Sequence, residues 1–211
     1  MAWSKHSRLV WPARLTAALL LAAAPLALRA ADAQREPELR GIVQQAIESA
    51  PCFADKFDSE VWFKLQEPRL RKLVRDADER VQILETAYCE ANRPNERPLP
   101  PGLVMAVMDV ESAFDRWAVS ATGAVGLMQV MPFWPDKLGM KRYELTQVRA
   151  NMRMGCAILR YYVQSEHNDW RKALARYNGS IGNRKYPDLV ITRWTTRWNG
   201  ADGLGLATAK Q

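Results

Sequence analysis

The chain has 211 residues, 48% of them hydrophobic and 25% charged, with 30 Lys and Arg against 23 Asp and Glu for a formal charge of +7. This basic balance suits an anionic polymer. The basic residues are interspersed with acidic ones, however, and no aromatic and basic platform supports nucleic-acid binding. Three cysteines without a CxxC pair, and His6 and His167 as the only imidazoles, argue against a metal site.

Residues 1–33 read as a secretory signal peptide. Lys5, Arg8 and Arg14 make a basic start, an apolar run from Leu15 to Leu28 is broken only by Thr16 and Pro25, and Ala31-Asp32-Ala33 forms an A-x-A cleavage pattern. The run is shorter than the roughly 20 residues that span a bilayer, and Pro25 interrupts it, so a membrane anchor is disfavoured. No cysteine follows closely, so a lipoprotein anchor is not indicated either. Cleavage after Ala33, with Ala30 as the alternative, leaves 178 residues and no stable membrane anchor. It removes four basic residues and one acidic one, lowering the charge to +4. A chain of that length supports one good core.

Helical patterns predominate, predicted over 37–49, 59–65, 68–92, 101–111, 148–166, 170–177 and 188–198, and no run alternates like a strand. The expected fold class is all-α. Residues 34–100 read as a helical amino-terminal extension whose end, with Pro94, Pro98, Pro100 and Pro101, is an extended connector placing proline in the first turn of the next helix. Residues 101–198 form the region that carries the chemistry, and 199–211 a tail without periodicity. Spacing does not choose among the three pairings of Cys52, Cys89 and Cys156; because Cys52 sits in a turn-like Ala-Pro-Cys-Phe that could staple the amino-terminal segment to helix 148–166, Cys52 with Cys156 is the favoured pair.

In helix 101–111, Leu103, Val107 and Val110, followed by Phe114, recur at the period of one buried face. Glu111 lies about 100° around the helix from Val110, at the edge of that stripe. Partial burial and the negative end of the helix dipole both push its carboxyl pKa upward. An acid kept protonated near neutral pH is what general acid catalysis requires. Spacing alone nevertheless favours a plainer reading, an ordinary surface glutamate closing an amphipathic helix.

The residues that follow shift that balance. Glu111-Ser112, Ser120, Gly123-Ala124, Gly126-Leu127-Met128-Gln129 and Met131-Pro132 resemble the catalytic segment of the soluble lytic transglycosylase family, relatives of goose-type lysozyme. Two further pieces match in order: Asn151-Met-Arg-Met-Gly155, and Ala175-Arg-Tyr177-Asn178-Gly179. The resemblance runs from about residue 103 to 194.

It implies a lysozyme-like helical domain that acts in the periplasm on peptidoglycan glycan strands, without cofactor. The implied reaction cleaves the β-1,4 bond between N-acetylmuramic acid and N-acetylglucosamine non-hydrolytically, leaving 1,6-anhydro-muramoyl ends. Glu111 is then the single catalytic acid and, later, the base. Gln129, whose amide can donate to and accept from an acetamido group, lines the cleft with Met131. Ser120 hydrogen-bonds substrate, Ser112 braces the helix end, and the Tyr177 hydroxyl lies near the glutamate. Asn178 is either a site residue or a helix cap. Tyr186 corresponds to a later aromatic on the cleft wall. The family's usual Tyr-Asn-x-Gly is here Tyr-Asn-Gly179-Ser180-Ile-Gly182, so the loop beyond Asn178 departs from the pattern.

Trp134 and Trp170 offer possible stacking faces for sugars, with core packing as the competing role. Asp109, two residues before Glu111, points to the opposite side of the helix, and Asp115 falls where a turn role is expected. The alternatives are a lysozyme-like hydrolase, which wants a second carboxylate to position water, and an inactive wall-binding scaffold.

Overall fold

The computed structural model describes residues 56–138 and 140–199. The signal peptide, the helix expected over 37–49, Cys52 and all but the first residue of the 199–211 tail lie outside the described residues.

Helix α1, Lys56–Leu70, runs through Pro68 in its last turn, where the missing N–H removes only one terminal bond. The chain then turns and restarts as α2, Ala77–Ala91. The single helix expected over 68–92 is therefore two. Asp76 makes the break: its carboxylate accepts from the Glu79 N–H at 2.7 Å as an N-cap. The Arg80 guanidinium reaches back to the Val74 and Arg75 carbonyls at 3.1 and 2.7 Å, satisfying groups the turn would otherwise strand. An Asp followed three residues later by Glu is a helix-start signal visible in sequence.

Helix α3, Pro101–Glu111, begins with proline at its first position, as expected. The connector before it is pinned by buried Leu99, whose N–H bonds the Ala91 carbonyl at 3.0 Å. Gly102 through Met108 are all buried, so α3 is apolar all round rather than along one stripe. It is the central helix, in contact with α2, α7 and the carboxy-terminal turn.

The remaining elements are α4 (Phe133–Leu138), a 3₁₀ turn (Arg142–Thr146), α5 (Val148–Ser165), α6 (Trp170–Asn178), α7 (Lys185–Arg193) and a π turn (Trp194–Trp198). The helix expected over 188–198 thus starts three residues earlier and ends in π geometry. Among the described residues there are two isolated bridges, Val119 with Val125 and Val125 with Val130, and no strands. Helix α5 packs against α2 and α6 and is the second buried axis of the fold. The described part of the amino-terminal extension shares this core, through Trp62, Leu70, Ile83 and Leu84.

Buried charges tie the connector to α5. Glu90 receives Arg93 and Arg153, while Arg160 on α5 pairs with Glu96 and donates to the Arg97 and Glu90 carbonyls. The expected Cys52–Cys156 disulfide does not form: Cys156 is a buried free thiol 3.8 Å from the Met128 sulfur, whereas Cys89 is disulfide-bonded. Burial pushes the Cys156 thiol far above its usual pKa, which makes it a packing residue.

Candidate active site

Glu111 is the last residue of α3, and the way that helix ends places its carboxylate. The helix stops without glycine: Ala113 and Phe114 both take left-handed backbone, φ +50° and +65°. Such conformations cost on the order of 1–3 kcal/mol each and persist where surroundings compensate. Here the Phe114 ring is buried edge-on against Trp198, centroids 5.2 Å apart. The Ser112 hydroxyl bridges the Met108 and Leu127 carbonyls at 3.2 and 2.8 Å, so Ser112 braces the helix end and ties it to the following loop.

On the far side of α3, Asp109 is 6% exposed and receives Arg197 at 3.0 Å and the Trp198 indole N–H at 3.0 Å. It anchors the π turn and faces away from Glu111. Asp115 is exposed and accepts from the Trp117 N–H at 2.8 Å, a turn role.

The Glu111 carboxylate is half-buried. The Tyr186 hydroxyl donates to Oε1 at 2.5 Å, and the Asn178 side chain makes a second hydrogen bond to it. Burial raises the carboxyl pKa, and the two hydrogen bonds, which favour the ionised form, only partly counter it. The net shift is upward. Tyr186 supports the carboxylate through its hydrogen bond and is outside the lining of the cleft onto which Glu111 opens.

Glu111 opens onto a cleft of about 350 Å³ shared with Ser120, Gln129, Met131, Tyr177 and Asn178. Among the described residues lining it, Glu111 is the only carboxylate. Helix α6 delivers Tyr177 and Asn178 in its last turn. Gly179 follows at φ +74°, and the Gly179 and Ser180 N–H groups bond the Arg176 and Ala175 carbonyls. Asn178 is thus the last helical residue with its side chain on Glu111, and Gly179 is the cap.

The loop between α3 and α4 is held by Asn151, 1% exposed on α5. Its Oδ1 accepts from the Met128 N–H at 2.8 Å, and its Nδ2 donates to the Val125 and Leu145 carbonyls at 2.8 and 2.9 Å. Gly126, at φ +80°, leaves room for that amide, since a Cβ there would lie 2.5 Å from Asn151 Nδ2 and 2.4 Å from the Leu145 oxygen. Gly155, one turn along α5, seats Met128, whose Cβ and sulfur would both be 2.6 Å from an added methyl. The Asn151 to Gly155 segment is therefore a loop anchor, a role that helix periodicity does not reveal.

Gln129, Tyr177 and Ser120 each have hydrogen-bonding groups engaged within the protein. Gln129, at φ +48°, spends its amide N–H groups on the Ala118 and Gly126 carbonyls at 3.2 and 3.1 Å. Only its Oε1 is left to meet a ligand, as an acceptor. Tyr177 lies near Glu111, as expected, and its hydroxyl donates to the Met128 carbonyl at 2.7 Å. Burial and the nearby Glu111 charge both push the Tyr177 phenol upward, so it stays a neutral donor. Ser120 closes its own turn, accepting from the Ala124 N–H at 2.9 Å, with Thr122 at 3.0 Å.

Trp134 contributes to the wall but is 5% exposed. Trp170 packs edge-on against Trp194, centroids 5.9 Å apart, away from the cleft. The accessible aromatic is Phe133, 41% exposed on the cleft and 5.1 Å from the Trp134 ring. Sequence reasoning passed over it, although it directly follows Met131-Pro132.

A family model described as the transglycosylase SLT domain matches residues 89–188. The match covers 100 of the chain's 211 residues. A transglycosylase of Enterobacteria phage PRD1 is 34% identical over 101 residues, 44% of this chain and 37% of that protein. A membrane-bound lytic murein transglycosylase C of Actinobacillus pleuropneumoniae is 53% identical over 34 residues, 16% of this chain and 9% of that one. The chain thus spans little more than a third of the first relative's length and less than a tenth of the second's. A solved structure of an inactive mutant of the lytic transglycosylase Slt from Pseudomonas aeruginosa aligns at TM-score 0.41 and 24% identity, covering 59% of this chain and 22% of that one. The SLT segment contains the whole cleft lining together with Asn151 and Tyr186. The π turn that holds Asp109 lies beyond it.

Proposed function

We propose that the protein is a peptidoglycan lytic transglycosylase, working outside the cytoplasm on the glycan strands of the wall, with Glu111 as its single acid and base. The observation that carries this reading is a cleft whose only carboxylate, among the described residues, is a half-buried glutamate with a raised pKa. The SLT domain match and the names of the relatives supply the substrate class.

Protonated Glu111 gives its proton to the glycosidic oxygen as the bond from that oxygen to the muramoyl C1 breaks. The substrate's acetamido oxygen can assist at C1, so no enzymic nucleophile is required. The ionised Glu111, stabilised by Tyr186 and Asn178, then takes the proton from the sugar's own 6-hydroxyl as O6 bonds to C1 and displaces the acetamido oxygen from it. That step forms the 1,6-anhydro ring and regenerates the acid. Gln129 Oε1 is available for an acetamido N–H, and Met131 and Ser120 line the same space. A hydrolase would call for a second carboxylate to position water, and none lines the cleft among the described residues.

The test is incubation of the protein and of Glu111→Gln with purified peptidoglycan, followed by mass spectrometry of the released muropeptides. Anhydro ends from the wild type alone are expected. Reducing ends would indicate a hydrolase, and no release from either protein would leave only a binding role.

A further inference from the structure

Among the described residues lining the cleft, two are charged: Glu111, and Arg176 on the last turn of α6. The acid has an assigned task under the proposed reaction, and the cation has none. Its position follows from helix geometry. Ile158, Tyr162 and Glu166 succeed one another at intervals of four along α5 and just past its end, so they share one face. Ile158 and Tyr162 line the cleft, and Glu166 receives Arg176 Nε. The pair ties Arg176, a residue of the cleft lining, to the end of α5, while Glu166 itself stays out of the lining. Phe133 and Trp134 add an aromatic wall to the same cavity. A guanidinium oriented by a carboxylate beside apolar and aromatic surface suits a carboxylate carried on an otherwise apolar substituent.

We propose that Arg176 is a specificity residue that reads a carboxylate on the substituent of the bound sugar, so that the cleft favours anionic glycan over neutral glycan of the same backbone. The inference rests on the glycan-cleaving reading above. In wall glycan such a carboxylate has two sources: the lactyl group itself once its peptide is removed, or the acidic residues of an attached peptide. A purely structural role for Arg176, holding α6 to α5 and complementing the helix end, makes a different forecast, because it would support all glycans alike.

The full chain carrying Glu111→Gln, which blocks turnover, is titrated calorimetrically with neutral chitopentaose, with peptide-stripped wall glycan and with peptide-bearing wall glycan. The expected result is binding about tenfold tighter for at least one anionic glycan than for chitopentaose, as one charge-assisted contact allows. Which anionic glycan gains identifies the source of the carboxylate. Adding Arg176→Gln should erase the difference, Arg176→Lys should retain much of it, and raising the salt concentration should shrink it. Equal affinity for all three glycans, or a loss from Arg176→Gln as large for chitopentaose as for the anionic strands, would overturn the inference and leave the proposed reaction standing. Binding of none of the three would overturn both.

Discussion

Replacing Asn151 tests how the loop between α3 and α4 is held. Its side chain makes three hydrogen bonds, to the Met128 N–H and the Val125 and Leu145 carbonyls, in a site 1% exposed. Each such bond contributes about 1 kcal/mol net, and stranding buried partners adds desolvation costs of about 1–3 kcal/mol. Asn151→Ala should therefore cost about 3–5 kcal/mol, lowering the melting temperature by about 10 °C in a chain of this size. Asn151→Asp sharpens the test. One carboxylate oxygen can still accept from Met128, but the other faces two carbonyl oxygens with no proton to offer. At neutral pH the aspartate variant should be less stable than the alanine variant, and acidification should narrow the gap as the carboxyl gains a proton and can donate to one carbonyl. Thermal melts followed by far-UV circular dichroism at pH 7 and pH 4 measure this. A loss below about 1 kcal/mol for alanine, or an aspartate variant as stable as wild type at pH 7, would refute the reasoning and place the loop's anchor elsewhere.

Tyr186→Phe removes a hydrogen bond that favours ionised Glu111, so the Glu111 pKa should rise further. The first step of the proposed reaction uses the protonated acid, so the high-pH limb of the kcat/KM profile should move to higher pH; movement the other way contradicts the proposal. Glu111→Gln should raise stability at pH 7. The folded state holds the Glu111 proton more tightly than the unfolded chain, so ionisation costs stability as pH rises from the ordinary carboxylate range through the folded pKa. The gain should vanish below that range, and melts across pH 3 to 8 would show it. Gly155→Ala drives a methyl to within 2.6 Å of the Met128 side chain and should cost about 1–3 kcal/mol by urea titration, with activity falling as the loop shifts.

The all-α class was legible because helical periodicity and capping signals are local. Pro101 opens α3 as its type predicts. The break before α2 was legible too, in Asp76 and Glu79, but the apolar rhythm across 68–92 hid it. The end of α3 was not legible as it occurs. Nothing in Ala113-Phe114 announces left-handed backbone, which exists because the Phe114 ring finds Trp198, 84 positions along the chain. The disulfide expectation failed for a similar reason: spacing carries no information about which cysteine points into the core, and Cys156 does.

For the site, the spacing along α3 by itself favoured an ordinary surface glutamate, and it was the resemblance of three ordered segments to the lytic transglycosylase family that pointed to Glu111 and its neighbours. What each does was decided by contacts between residues distant in sequence. Tyr186 bonds Glu111 across 75 positions, Tyr177 is turned to the Met128 carbonyl, and Gln129 spends its donors on its own loop. A side chain's chemistry belongs to the sequence. Which of its donors and acceptors remain for a substrate depends on the partners that packing brings within about 3 Å, and that only the tertiary structure determines.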